Sequence, residues 1–326
     1  MKKTILSLVA LMTVANIHAQ VVEVYEGNNT TTPTKIYTST TSNPVKVVFK
    51  EVGETGTIDN HEYVKIGNLL WATMNVGATT VADSYDTAIG DYYAWGETVP
   101  YYQSKTITDI DPVSGTTGNF GEGNKPTFST ENEVAAHVKG VKSSYNWANY
   151  CGESSFTEWS EAPYDETTKA LKPKNDVAHV EWGGSWRMPT AKEYQSLITA
   201  CTGSTSKQDW KTVPEDGTIT EKGIYYVAKN ATVDGVEYKI AGALFVADVT
   251  DKSKRVFFPF AGRIKNTAFG DAHYVHYWSS TLAGVEQSGS YLRGSYKSND
   301  GFTVTAKERY VGQPVRAVIE LPSTAE

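Results

Sequence analysis

The stretch that most constrains the fold is Trp182-Gly-Gly-Ser-Trp-Arg-Met-Pro-Thr-Ala-Lys-Glu-Tyr-Gln-Ser-Leu-Ile198. It holds a glycine turn, two tryptophans and an arginine, then a helix with a complete start signal. Thr190 stands as N-cap with Glu193 three residues on, so each side chain can satisfy a backbone N–H of the other. Pro189 precedes the cap, where it interrupts no helical hydrogen bond. Tyr194, Leu197, Ile198 and Cys201 recur at helical spacing as one apolar stripe, and Gly203 supplies a stop. This spacing predicts a helix of about three turns that docks by one face.

Around it the chain reads mostly as strands. Residues 21–50 carry three short apolar runs separated by Thr-, Ser- and Asn-rich turns, a small β segment expected to dock. Tyr63 to Val76 reads as strand–turn–strand about Gly67-Asn68. Residues 103–130 are sparse in apolar side chains and predict a long surface loop, a place where function often sits. Glu131 to Lys139 predicts a short helix. Gly223 to Ile240 predicts a hairpin about Asp234-Gly235, and Asn299-Asp300-Gly301 joins two further strands. Helices early and antiparallel strands late argue an α+β fold.

Several motifs resemble one family. Trp186-Arg-Met-Pro-Thr-x-x-Glu-Tyr194 is similar to the W-R-L-P-T-x-x-E-W signature of the Fibrobacter succinogenes major paralogous domain family. Leu70-Trp-Ala-Thr-Met-Asn-Val-Gly77, Tyr92-Tyr-Ala-Trp-Gly-Glu97, Phe257-Phe-Pro-Phe-Ala-Gly262, Tyr277-Trp-Ser-Ser280 and Gly312-Gln-Pro-Val-Arg316 follow the same family in order. The resemblance implies a C-type-lectin-like domain over residues 56–322, after an N-terminal β segment at 20–55, in an exported bacterial protein. It implies no assigned activity.

The first residues agree with export. Lys2 and Lys3 precede the apolar run Ile5 to Val14, and Ile17-His-Ala19 reads as a cleavage site, so residues 1–19 are expected to be a signal peptide. The mature protein is then expected in the periplasm, on the cell surface or in the medium, without a membrane span. The 326 residues carry 30 basic and 37 acidic side chains, net −7. Cleavage would remove two lysines and take the balance to −9. An acidic chain without a basic block is a poor partner for nucleic acid.

Cys151 and Cys201 are the only cysteines. In an oxidising compartment an even pair reads as a disulfide, contributing at most ~4 kcal/mol by chain entropy; the alternative is two buried free thiols. No metal or cofactor is expected. His273 and His276 lie three apart in a predicted strand and point to opposite faces. Asp109-Ile-Asp111 starts like a calcium loop but has Val113 at the third ligand position. Lectins of the implied fold often chelate sugar through calcium and a Gln-Pro-Asp tripeptide; here Gln313-Pro314 is followed by Val315. Formylglycine-generating enzymes share the implied fold and a similar motif, but use two cysteines close in sequence.

The expectation is therefore a non-catalytic binding or adhesion protein for a glycan or protein ligand on a cell surface. The candidate contacts are Tyr291, Arg293 and Tyr296, with help from the loop at 103–130. Tyr291 and Arg293 share a strand face, a stacking ring beside a forked donor; Tyr296 points to the other face. One alternative is an enzyme related to the formylglycine-generating fold or a glycan-active hydrolase. Another is a subunit of a surface fibre or homo-oligomer, joined through its N-terminal strands. Intact-mass measurement of exported protein should show a chain beginning at Gln20; membrane-bound material retaining Met1 would refute the leader.

Overall fold

Short alternating runs, each broken by a Gly, Asn or Asp turn, become the strands of the computed structural model. The structure describes residues 19–24, 35–40, 53–100, 105–111, 115–119, 162–204, 209–265, 268–284, 288–296, 301–309 and 311–321. The chain forms two units, Met1–Gly53 and Glu54–Glu326. In the first, β1 (Ala19–Val24) and β2 (Lys35–Thr40) pair antiparallel, with Val22 opposite Tyr37. The third strand expected there, at 45–49, lies outside the described residues.

In the second unit β3 (Thr55–Ile58), β4 (His61–Ile66) and β5 (Leu69–Asn75) form a meander, and the last strand, β19 (Arg316–Glu320), joins it in the order β19-β5-β4-β3. The turn at Gly67 has φ of 63°, as the sequence requires. A second sheet runs β13-β12-β9-β8, from β8 (Lys211–Thr212), β9 (Gly223–Val227), β12 (Gly242–Val246) and β13 (Arg255–Pro259). A third runs β16-β17-β18, from β16 (Tyr274–Leu282), β17 (Ser288–Ser295) and β18 (Gly301–Glu308). Among the described residues the unit also holds three two-stranded ribbons: β6 (Thr106–Asp111) with β7 (Gly115–Asn119), β10 (Ala231–Val233) with β11 (Val236–Tyr238), and β14 (Arg263–Lys265) with β15 (Ala268–Gly270).

The chain is thus β-rich, 43% strand against 13% helix, which corrects the α+β, C-type-lectin-like expectation. Among the described residues only α3 (Ala191–Thr202) is a substantial helix; α1 (Tyr85–Ala88) and α2 (Val177–Trp182) are one or two turns. The helix expected at 131–139 lies outside the described residues. Part of the expected loop at 103–130 is instead the β6–β7 ribbon. A register shift between Ile107 and Asp109 breaks its alternation, and Ile107 and Ile110, three apart, are both buried. That irregularity hides the strand from a period-two reading.

The helix itself forms as its signals require. Thr190 accepts from the Glu193 N–H, Glu193 reaches back to the Thr190 N–H, and Gly203 takes the left-handed conformation at the C-terminus. Tyr194, Leu197, Ile198 and Cys201 are its buried residues. Before it, Asp176 caps α2 by accepting from the N–H groups of Ala178 and His179, and its carboxylate also takes the Met188 N–H at 2.8 Å. Burial pushes this carboxyl up to about 6, against the pull of those N–H donors.

At the centre lies Arg316, 1% exposed. Its guanidinium donates to the carbonyls of Ala72 (2.8 Å) and Thr73 on β5 and of Phe257 (2.8 Å) on β13. It sits over the Phe258 ring at 4.7 Å. Burial pulls its pKa down to about 10, opposed by the nearby hydroxyls of Tyr277 and Tyr194, so it stays charged at neutral pH. Arg316→Lys keeps the charge but cannot span two strands with a planar fork. It should lower the unfolding free energy by about 2–4 kcal/mol. Urea midpoints measure this; a midpoint within error of the parent would deny the guanidinium that role.

Candidate functional site

One face of the β16–β18 sheet collects rings and cations. Register decides which side chains share it: Trp278 opposite Tyr291 and Thr305, His276 opposite Arg293 and Thr303. Successive residues alternate, so Tyr274, His276 and Trp278 of β16 line up beside Arg293 and Tyr291 of β17.

The Trp278 end of this face is sealed. Trp278 donates its ring N–H to the Tyr93 carbonyl and Trp95 donates to the Ser279 carbonyl, each at 2.8 Å. Trp95 lies so close over Gly289 that a Cβ there would meet its ring at 2.4 Å, hence the glycine. Tyr291 falls within the sealed part. It is 4% exposed, edge-on to His276 (5.2 Å) and Trp278 (5.9 Å), and burial pushes its phenol up to about 12.

The other end is open. Arg293, half-buried, donates from Nη2 to the Tyr274 hydroxyl (3.2 Å), with its guanidinium 4.9 Å from that ring's centre. Arg263 joins from β14, held by Asp271 at 2.6 Å, whereas Lys307 of β18, 3.0 Å from Glu308, stands opposite Gly289 toward the Trp278 end. The β6–β7 ribbon reaches this end, with β7 running against β15. β15 pairs with β14, which carries Arg263, so the described part of the 103–130 segment lies beside that ribbon.

Tyr296 does not share the face. It follows β17 in a turn and stacks on Tyr226 (3.8 Å, 10° between planes), edge-on to Trp210 at 5.8 Å. So the structure brings Tyr291 and Arg293 together, with the ring beneath and the guanidinium at the surface, and leaves Tyr296 elsewhere. The second aromatic cluster, Tyr92, Tyr93 and Trp95, is core, none more than 3% exposed. Arg263 and Lys307 were not singled out in sequence: each lies on a different element, and only the folded chain brings both near His276.

Among the described residues no three His, Cys, Asp or Glu side chains gather so as to hold a metal ion. Cys201 is a free, fully buried thiol whose ionisation burial strongly opposes. Cys151 lies outside the described residues, and so does any pairing with it. No helix of the described residues is long and apolar enough to cross a membrane. Compared with family models, curated proteins and solved structures, the chain gives no match.

His276 lies under the cations. It is 1% exposed, neither ring nitrogen has a hydrogen-bond partner, and it contacts the Tyr274 and Tyr291 rings. Burial, then Arg263, Arg293, Lys307 and His273, holds its pKa well below 6.5, so the folded protein keeps it neutral. Once unfolded, it takes a proton below about pH 6.5, so this group favours unfolding increasingly as pH falls through that value. Its contribution is ~1.4 kcal/mol per pH unit below that pH. His276→Leu should flatten the fall in melting temperature between pH 7 and 5 relative to the parent. Parallel curves would show that another group sets the dependence.

Proposed function

We propose that this chain is an exported, non-catalytic binding protein that holds a glycan or protein ligand on the open end of the β16–β18 face. The observation that carries the reading is the Arg293–Tyr274 pair, a half-buried guanidinium already laid against a ring. A ring face stacks on a sugar or an apolar side chain, and the fork takes a carboxylate or hydroxyl edge. Arg293, with Arg263 held by Asp271 beside it, is the donor set that an acidic glycan or acidic protein segment would use. The leader-like sequence at 1–19 and the resemblance to an exported family support an extracytoplasmic setting.

Because Tyr291 and Arg293 occupy different depths, their replacements separate binding from folding. Arg293→Ala and Tyr274→Ala should each weaken binding by about 1–3 kcal/mol with little change in melting temperature. Tyr291→Ala opens a hole beside Trp278 and should cost about 3–5 kcal/mol of stability. A panel of neutral and uronate- or sulfate-bearing glycans and immobilised surface proteins, read at two salt concentrations and with a calcium chelator, supplies the binding measurement. Screening by salt and indifference to the chelator are expected. Ligand binding untouched by both surface replacements would move the site elsewhere.

A further inference from the structure

A second feature lies away from that face. Between β4 and β5 of one sheet and β13 of the next is a cavity of about 240 Å³, with the β10–β11 ribbon as its third wall. Val64, Val233, Leu244 and Tyr238 make much of it apolar, and Arg255, Asp234 and the Thr73 hydroxyl are its buried polar lining. The side chain of Arg255 is 8% exposed. Its Nη1 is engaged by Asp234 at 2.5 Å, and the other oxygen of Asp234 takes Lys252 at 3.0 Å. Nε and Nη2 of Arg255 have no acceptor, and the Thr73 hydroxyl has no partner either. These two nitrogens form the side-on edge of the guanidinium, the geometry that receives both oxygens of a carboxylate.

Buried N–H groups of a charged side chain are costly to leave unpaired, and apolar walls close by do nothing for them. We infer that this cavity is a binding site for a small monocarboxylate with a compact apolar tail, its carboxylate on Arg255 Nε and Nη2 and on Thr73, its tail against Val64, Val233 and Leu244. The charge count favours a monoanion: Arg255 and Lys252 face one carboxylate, Asp234, leaving one cation in excess. A phosphate dianion would exceed that charge and would lose the apolar contacts. The volume lies below the ~300–1,000 Å³ of drug-sized ligand sites, which sets the tail at the size of an isopropyl or phenyl group.

The probes are sodium isovalerate and sodium phenylacetate, titrated into the full chain by calorimetry, with isovaleramide and sodium chloride at matched ionic strength as controls. Saturable binding of a carboxylate is expected, with the amide and chloride at least about tenfold weaker, because a charge-assisted fork loses most when its acceptor is neutral. Arg255→Lys can keep the ion pair with Asp234 and removes the fork; it should weaken the carboxylate by about ten- to a hundredfold. Thr73→Val is of similar shape and should weaken it about fivefold while leaving the urea midpoint near that of the parent. If Arg255→Lys unfolds, the amide comparison and Thr73→Val still decide. Absence of carboxylate binding, equal binding of amide and acid, or carboxylate affinity unchanged in Thr73→Val would each overturn the assignment.

Discussion

The second unit is arranged around a buried cation. Arg316 stands on the last strand, yet its donors reach β5 and β13, so one planar group ties two sheets together. The third sheet and the helix approach through Tyr277 and Tyr194. Tyr277 in turn donates to the Pro259 carbonyl and accepts from Asn75, whose amide also holds the Ile89 carbonyl at 2.8 Å. Carbonyl oxygens and a ring face replace water around the charge, with no carboxylate among the partners named. Such an arrangement is unforgiving, because a buried charge tolerates few displacements of its partners. It fixes relative positions that apolar packing alone would leave less defined.

Other arginines in this acidic chain are buried, with different solutions. Arg309, 2% exposed, lies over the Trp95 ring at 5.8 Å while its backbone carbonyl accepts the Trp95 N–H. Arg255 is neutralised by Asp234 on one edge only. Arg316 has three carbonyls and a ring and leaves only Nε without an acceptor, and Arg309 has a tryptophan face, but Arg255 leaves both Nε and Nη2 without one and lines a pocket with apolar walls. That contrast separates a guanidinium used as a structural clamp from one left with binding capacity.

Much of this architecture was legible locally and little of it globally. The Thr190–Glu193 box, the Gly67 turn and the Asp234-Gly235 turn, where φ is 48° and 85°, each form as their residues dictate, because each depends on neighbours a few positions away. Strand pairing does not. β19 joins β5 across more than two hundred residues, and nothing in either strand names its partner. The α+β expectation gave one strongly signalled helix too much weight against many short, mostly buried strands, and the bulge in β6 concealed one of them. At the candidate site, alternation placed Tyr291 and Arg293 on one face correctly. Depth was not readable, since Tyr291 is packed against His276 and Trp278, and Trp278 is in turn held by the Tyr93 carbonyl, almost two hundred residues away. Tyr296 lay beyond the end of its strand, where alternation no longer applies.

The Trp-Arg-Met-Pro-Thr stretch, the most recognisable segment of the sequence, acts as a fastener. Arg187 exchanges backbone hydrogen bonds with Val318, so the stretch lies along β19 on the side away from β5. Its guanidinium then grips Glu193 through both oxygens and reaches Glu320 at 3.0 Å. Burial works against ionisation of Glu193, but Arg187 wins and holds that carboxyl below its usual range, so one charged side chain caps the helix and anchors the strand end. Asp176 locks the other side through Met188, and Trp186, fully buried, seats the loop. With β19 clamped along both edges, Arg316 at its start is carried into the core at a fixed height. The signature thus serves the clamp at the centre, and the two surfaces proposed for binding lie on other elements, at the open end of the β16–β18 sheet and in the cavity behind β13.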